Sequence, residues 1–149
     1  MAFAILRAEK LKTMGNIGGS LAHNYRSIET PNADSLKTPD NFHSLPNAEA
    51  VKNAISERLP EKRRSDAVLC IEYMITASPE WQGWSDDSQQ EYFKQAQKWL
   101  EQQHGKQNVV ATSIHRDETT PHLIAYVVPL DQDTGRLNAK KYLGGKAKL

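Results

Sequence analysis

Cysteine occurs once in the 149 residues, at Cys70. A single thiol excludes a disulfide framework and a cysteine-based zinc site, and it favours a reducing, cytoplasmic setting. Long apolar runs are also missing. The opening MAFAILRAEKLKTMG is too short in apolar residues for the core of a secretion signal. No stretch approaches the roughly 18 residues that a membrane span needs, so no membrane contact is expected within these residues. A large charge excess is the third absence. Nineteen Lys and Arg against 18 Asp and Glu leave a formal net charge of +1, so overall charge gives no argument for a nucleic-acid partner. What is present, 38% hydrophobic and 25% charged residues, describes one globular domain able to bury a core.

The charge is unevenly spread. Arg58, Lys62, Arg63 and Arg64 form one basic cluster, and residues 136–149 carry Arg136, Lys140, Lys141, Lys146 and Lys148 without an acid. Basic runs are usually solvated faces, and the terminal one can also serve as an arm that contacts phosphates.

Periodicity sets the elements. Residues 2–9 alternate as a strand, with Phe3, Ile5 and Arg7 on one face. Gly15, Gly18 and Gly19 punctuate the chain before a helix near 17–29 that carries Leu21, Tyr25 and Ile28. Residues 30–46, with three prolines, read as a long loop. Asn47 is placed to cap a helix running to about Leu59, which Pro60 stops. Residues 67–77 give the strongest strand pattern, with Leu69, Ile71, Tyr73 and Ile75 on one face and Val68, Cys70, Glu72, Met74 and Thr76 on the other. Ser85 or Asp86 then caps a helix to about Gln103, with Tyr92, Phe93, Ala96, Trp99 and Leu100 on its apolar side and Gly105 at its end. Residues 108–115 and 122–129 are two further strands, Asp133-Thr134-Gly135 is a turn, and 138–143 can start a helix. This order predicts an α+β fold: a central antiparallel sheet with helices packed on it. The ending GGKAKL has no terminating element and suggests the front part of a longer protein.

The most informative stretch is His115-Arg116-Asp117-Glu118-Thr119-Thr120-Pro121-His122. It sets two imidazoles at the facing ends of neighbouring strands, where Cβ atoms lie about 4.5–5.5 Å apart. Two imidazoles so placed can share one metal ion. Asp117 or Glu118 can add a ligand, or hold a ligand nitrogen from behind. Imidazole with carboxylate suits zinc, manganese or iron, so spacing does not choose the metal.

A second segment is Asn16-Ile17-Gly18-Gly19-Ser20-Leu21-Ala22-His23-Asn24-Tyr25-Arg26. His23 and Arg26 are three apart and on a helix share a face, where Arg can hold a phosphate and imidazole can attack it. A solvated polar face explains the same spacing. There is a geometric conflict too: if the Leu21, Tyr25 and Ile28 stripe packs on the sheet, His23 points away from the hairpin. His43 and His104 lie outside both segments and read as surface residues.

Together the segments resemble the catalytic domain of the Pre/Mob-type plasmid mobilisation relaxases, or plasmid recombination enzymes, within the wider histidine-hydrophobe-histidine nucleases. The matching text is Gly18-Gly19, His23-Asn24 and Arg26; then Asp66 to Cys70 with Glu72; then His115, Asp117-Glu118, Thr120-Pro121-His122; and finally Val128-Pro129. The resemblance spans the whole chain, taken as one relaxase domain, 1–149. It implies a metal-dependent DNA nickase acting on one strand of a plasmid transfer origin. His23 would attack the scissile phosphate, leaving a free 3′ hydroxyl and a 5′ phosphoramidate on the imidazole. It implies Mn2+ or Mg2+ on His115 and His122, with Glu118 as metal-site carboxylate or base and Glu72 in an acid-base or supporting role. Arg26 is implied as a phosphate contact, and Asn24, Arg7, Arg116, Lys140 and Lys141 complete the candidate DNA contacts. Relatives of this kind carry longer C-terminal regions for dimerisation or membrane association. One departure stands out. The family's third histidine, two residues beyond His122, is Ile124 here. Glu118, Asp117 or Glu72 then completes the site, or metal affinity is low, or the chain is a DNA-binding regulator without chemistry. A different metal-dependent nuclease is a further alternative, and Tyr25, Tyr73 and Tyr126 are alternative nucleophiles.

Overall fold

A computed structural model describes residues 2–26, 33–85 and 88–143. Eleven regular elements occur among them: β1 (Ala4–Leu11), α1 (Met14–Asn24), β2 (Phe42–His43), α2 (Ala48–Arg58), β3 (Cys70–Ala77), α3 (Ser88–His104), β4 (Val109–His115), β5 (His122–Val127), β6 (Leu130–Asp131), β7 (Arg136–Leu137) and α4 (Ala139–Leu143). The five longer-range strands form one sheet in the order β1-β3-β5-β4-β2, every pair antiparallel. The α+β architecture expected from the sequence is the one observed.

Strand alternation divides the core in two. Ile71, Tyr73 and Ile75 of β3 and Leu123, Ala125 and Val127 of β5 face α3, where Phe93 and Leu100 bury against them. On the other side Cys70, Ala111, Ile124 and Tyr126 pack under Ile17 and Leu21 of α1 and Val51 and Ile55 of α2. Because β3 and β5 are flanked on both sides by strands, their side chains fill both layers, and the cavity-forming positions belong to the α1 layer.

Several boundaries move. β1 runs later than the expected 2–9 and β3 starts at Cys70, not 67, so Leu69 packs in the α1 layer beside Cys70. α1 begins at Met14 because Thr13 caps it, its side chain accepting from the Asn16 amide at 3.0 Å. The three glycines thus lie inside the helix rather than before it. Tyr25 and Arg26 fall beyond its end, and Ile28 lies outside the described residues. Asn47 caps α2 as expected, accepting from the Ala50 amide at 2.8 Å. Ser85 lies in a 3-10 turn over Gln82–Ser85 and α3 is described from Ser88; the cap expected at Asp86 lies outside the described residues. Trp99, expected on the apolar side of α3, is 42% exposed. The 30–46 loop contains the sheet's last strand, since Phe42 and His43 pair with Ile114 and Ser113.

Gly19 is an exposed helical position where an added Cβ meets nothing within 4 Å. Alanine removes backbone freedom from the unfolded chain there, so Gly19→Ala should stabilise by about 0.5–1 kcal/mol. Calorimetry should show a melting temperature roughly 2–4 °C higher; a decrease would mean the glycine is needed in the folded chain.

Candidate active site

The site is set by β4 and β5. Their register puts His115 directly opposite His122. Nδ1 of His115 lies 3.0 Å from Nε2 of His122. The outer nitrogens determine what these inner ones offer. Nε2 of His115 lies 3.0 Å from the Asn24 carbonyl oxygen, and Nδ1 of His122 lies 3.2 Å from the Thr120 carbonyl oxygen. A carbonyl only accepts, so each outer nitrogen carries its proton. In two neutral imidazoles both inner nitrogens then present lone pairs to each other, an arrangement that needs a shared proton or a cation. A carboxylate oxygen of Glu118 joins them, the three donor atoms lying within 4.8 Å of one another. Two imidazoles fixed by carbonyls and one carboxylate form a donor set that fits a divalent ion. Burial, the neighbouring His122 and Arg26 together push the His115 pKa down to about 3, which keeps its lone pair free.

The expected ligand alternatives now separate. Ile124 is buried in the α1 layer and lines the cavity where a third histidine would stand. Asp117 turns the other way: its carboxylate is gripped by Arg26 through Nε at 2.8 Å and Nη2 at 2.7 Å, and by the Thr38 hydroxyl at 2.8 Å. Burial alone would raise the Asp117 pKa, but these donors hold it well below the carboxylate range. Glu118 is the carboxylate placed beside the histidines.

His23 is exposed on α1 and lines the same cavity, of about 480 Å³, as His115, Glu118 and His122. The conflict over helix phase is thereby resolved. Ile17, Leu21 and Asn24 are the buried positions, while Ser20 and His23, one turn apart, look over the sheet toward Glu72. Ser20 donates its hydroxyl to Glu72, and its oxygen lies 2.8 Å from the Tyr126 hydroxyl. Burial raises the Glu72 pKa, while Ser20 and the nearby His23 and His122 pull it down.

Other candidates are placed differently from their sequence expectation. Arg26 does not share a helical face with His23: it follows the helix with φ of 58°. Four of its N–H groups are committed to Asp117, Glu118 and the His23 carbonyl, so its charge is spent on protein carboxylates. Asn24 is 2% exposed and donates to the Ser113 hydroxyl at 3.1 Å, so it braces the site from inside and is no free DNA contact. Arg116 lines a groove with Phe93 and Leu123 on the α3 side of the sheet, away from His23. Lys141 pairs with Asp131 at 3.1 Å. Lys140 is exposed but lies in a separate basic groove. Arg7 is exposed on edge strand β1 opposite Met74, hence on the cavity side of the sheet.

Neither remaining histidine is a surface residue. His43 stacks on Tyr25 with centroids 4.2 Å apart, and its Nδ1 lies 2.7 Å from the Ser113 hydroxyl. His104 is 2% exposed, 2.7 Å from the Tyr73 hydroxyl, and burial pushes its pKa down to about 4. Tyr73 is thus on the far face, and Tyr25 donates to the Leu45 carbonyl. Tyr126 is fully buried and its pKa is pushed up by that burial. Among these candidate nucleophiles, His23 is the exposed one. The part played by Ser20 was missed by sequence reasoning, although it stands one helical turn before His23, whereas strand alternation puts Ser113 on the face of His115.

Comparison with known proteins bears on the fold and the family. The fold is that of a relaxase domain: the crystal structure of the MobM relaxase domain (MOBV; Mob_Pre), bound to plasmid pMV158 oriT DNA and manganese, superposes with a TM-score of 0.79 at 27% identity, covering 98% of this chain and 79% of that one. Residues 1–149 match the family model of the plasmid recombination enzymes, Mob_Pre, and the chain belongs to that family. A 65 kDa protein of Zymomonas mobilis is 38% identical over 154 residues, and plasmid recombination enzyme type 3 of Staphylococcus aureus is 32% identical over 160. These alignments cover 99% and 100% of this chain but 26% and 38% of the relatives, so the chain spans about a quarter to two fifths of their length.

Two outcomes follow from the buried groups. Below pH of about 6.5 the unfolded chain binds protons on His104 and His115 that the folded chain excludes, so stability falls with acid by about 1.4 kcal/mol per unit for each. Urea titrations between pH 6.5 and 5 should show this decline, with roughly half the slope in His104→Gln; a flat profile would contradict it. Removing Arg26 strands a buried carboxylate, so Arg26→Ala should cost about 3–5 kcal/mol in the same titration at pH 7. The double variant Arg26→Ala/Asp117→Asn should recover part of that loss.

Proposed function

We propose that the chain is a site- and strand-specific DNA nickase acting on single-stranded DNA at a plasmid transfer origin. The observation that carries this reading is one cavity bounded by the facing lone pairs of His115 and His122, by Glu118, and by the exposed imidazole of His23. The reading is further supported by the oriT DNA and manganese in the MobM relaxase domain structure.

The chemistry then divides among named groups. Manganese or magnesium held by His115, His122 and Glu118 would polarise a phosphoryl oxygen of the scissile group. His23 supplies the lone pair that forms the nitrogen–phosphorus bond, while the bond to the 3′ oxygen breaks. Its other ring nitrogen then gives up a proton, which Glu72 takes. The raised pKa of Glu72 makes it a better proton acceptor than an exposed carboxylate. The departing 3′ oxygen is protonated by solvent, and the 5′ phosphate stays on the imidazole. Arg26 holds Glu118 and neutralises Asp117, so two adjacent acids do not repel the incoming phosphate. A plasmid substrate is consistent with a reaction in the cytoplasm.

Ile124 favours one second reading, an origin-binding regulator that keeps the fold but holds metal too weakly for cleavage. A metal-dependent nuclease of another kind is the third outcome of the same assay. Labelled single-stranded origin DNA, incubated with manganese or with chelator and run on a denaturing gel, separates the three. The nickase yields a metal-dependent protein–DNA adduct. His23→Ala should lose it while DNA binding persists, and Glu72→Gln should slow its formation by about 10²–10⁴. An adduct that survives in His23→Ala removes that residue as nucleophile; cleavage without adduct, or binding without cleavage, selects the other readings.

A further inference from the structure

The cavity continues beyond His23. Ser20, His23 and Glu72, which line it, also line a shallow trough along α1, together with Glu9 and Lys10 at the end of β1. Lys10 in turn lines the next depression, with Lys12, Arg64 and Lys140. Arg64 and Lys140 lead into a broader groove that also carries Lys62, Arg63 and Arg136. Consecutive depressions share residues, so a surface path connects the candidate nucleophile to this groove.

The groove joins two basic clusters that are far apart in sequence: the segment after α2 and the β7–α4 junction. Its seven cations, Lys10 and Lys12 included, face only Glu61 and Asp66 in the two depressions, giving five net positive charges on a chain whose total is +1. All seven are exposed. Among the described residues the groove holds one ion pair, Arg64 with Asp66 at 3.4 Å, which is 84% and 72% exposed and weak for that reason. Among the described residues no aromatic ring lines either depression, so the surface offers bases no stacking platform and presents charge. Linear polyanion backbone is the ligand chemistry that a long, sequence-neutral row of cations recognises.

We propose that this groove binds the phosphates of single-stranded DNA flanking the scissile position, the strand reaching it from the cavity along the trough beside α1. The assignment of that strand rests on the nickase reading; the binding itself does not require cleavage. The groove thereby supplies sequence-independent affinity, while recognition of the origin falls to other surfaces.

The test uses a mixed-sequence single-stranded 30-mer, chelator to suppress chemistry, and fluorescence anisotropy across a salt series. The groove variant Arg64→Gln/Arg136→Gln/Lys140→Gln is compared with a variant of equal charge loss on and after α3, Lys94→Gln/Lys98→Gln/Lys106→Gln. All six side chains are exposed, and thermal melts confirm that both variants fold. The groove variant should lose tenfold or more in affinity at about 0.1 M salt, and its salt slope should fall by about 0.7 for each phosphate contact removed. The control should change by less than threefold. Equal losses in the two variants, or no binding of the 30-mer by the unaltered chain, overturn the proposal. Failure of the nickase reading is seen separately, as absence of adduct in the manganese reaction while groove-dependent binding persists.

Discussion

One hydrogen bond organises the site: the imidazole N–H of His115 on the carbonyl of Asn24, at 3.0 Å. The last carbonyls of a helix have no partner within it, and here one of them is taken up by a side chain of the sheet. The bond settles two matters together. It fixes the proton on Nε2, so that Nδ1 turns its lone pair on His122. It also fastens the end of α1 to β4, which holds His23, one residue before Asn24, at the rim of the same cavity. Under the nickase reading, cation binding and nucleophile placement thus share a single tie. A residue 24 side chain that changed the path of α1 would disturb both, although Asn24 itself touches neither phosphate nor metal in this account.

The acids of the hairpin pose an electrostatic problem that Arg26 resolves. Under the nickase reading, a site that receives a phosphate carries Asp117 and Glu118 side by side. Arg26 bridges both, at 2.7 and 2.9 Å, from a backbone conformation with positive φ that costs about 1–3 kcal/mol in a residue other than glycine. The ion pair stabilises this strained turn, and the turn directs the guanidinium inward. Thr38 completes the grip on Asp117, which ties the 33–46 segment to the hairpin and sets β2 and His43 beside it. Glu118 is left as the carboxylate adjoining the two histidines.

The histidine pair was legible in the sequence because a short hairpin and strand alternation leave few alternatives: residues at its two ends must face each other, and 122 and 124 must share a side. The same alternation correctly placed Ile124 on the side of the sheet that carries His122, where it lines the cavity. The helix phase of α1 was not legible. Its three glycines look like breakers, and only the Thr13 cap and the contacts of Ile17 and Leu21 override them. Arg26 was misplaced for that reason. His43 and His104 were misread because the burial of a lone histidine depends on partners, Tyr25 and Tyr73, that only the tertiary fold supplies. The basic residues were visible as two clusters, but nothing local in sequence indicates that the β7–α4 junction meets the segment after α2.

The central claim is that a divalent cation sits between His115 and His122, within reach of His23. An anomalous difference map from crystals of the chain soaked in manganese tests it most directly. The account predicts one strong peak bonded to Nδ1 of His115, Nε2 of His122 and a Glu118 oxygen, and the loss of that peak in His122→Ala. A peak elsewhere, or none at these nitrogens under saturating manganese, would contradict it.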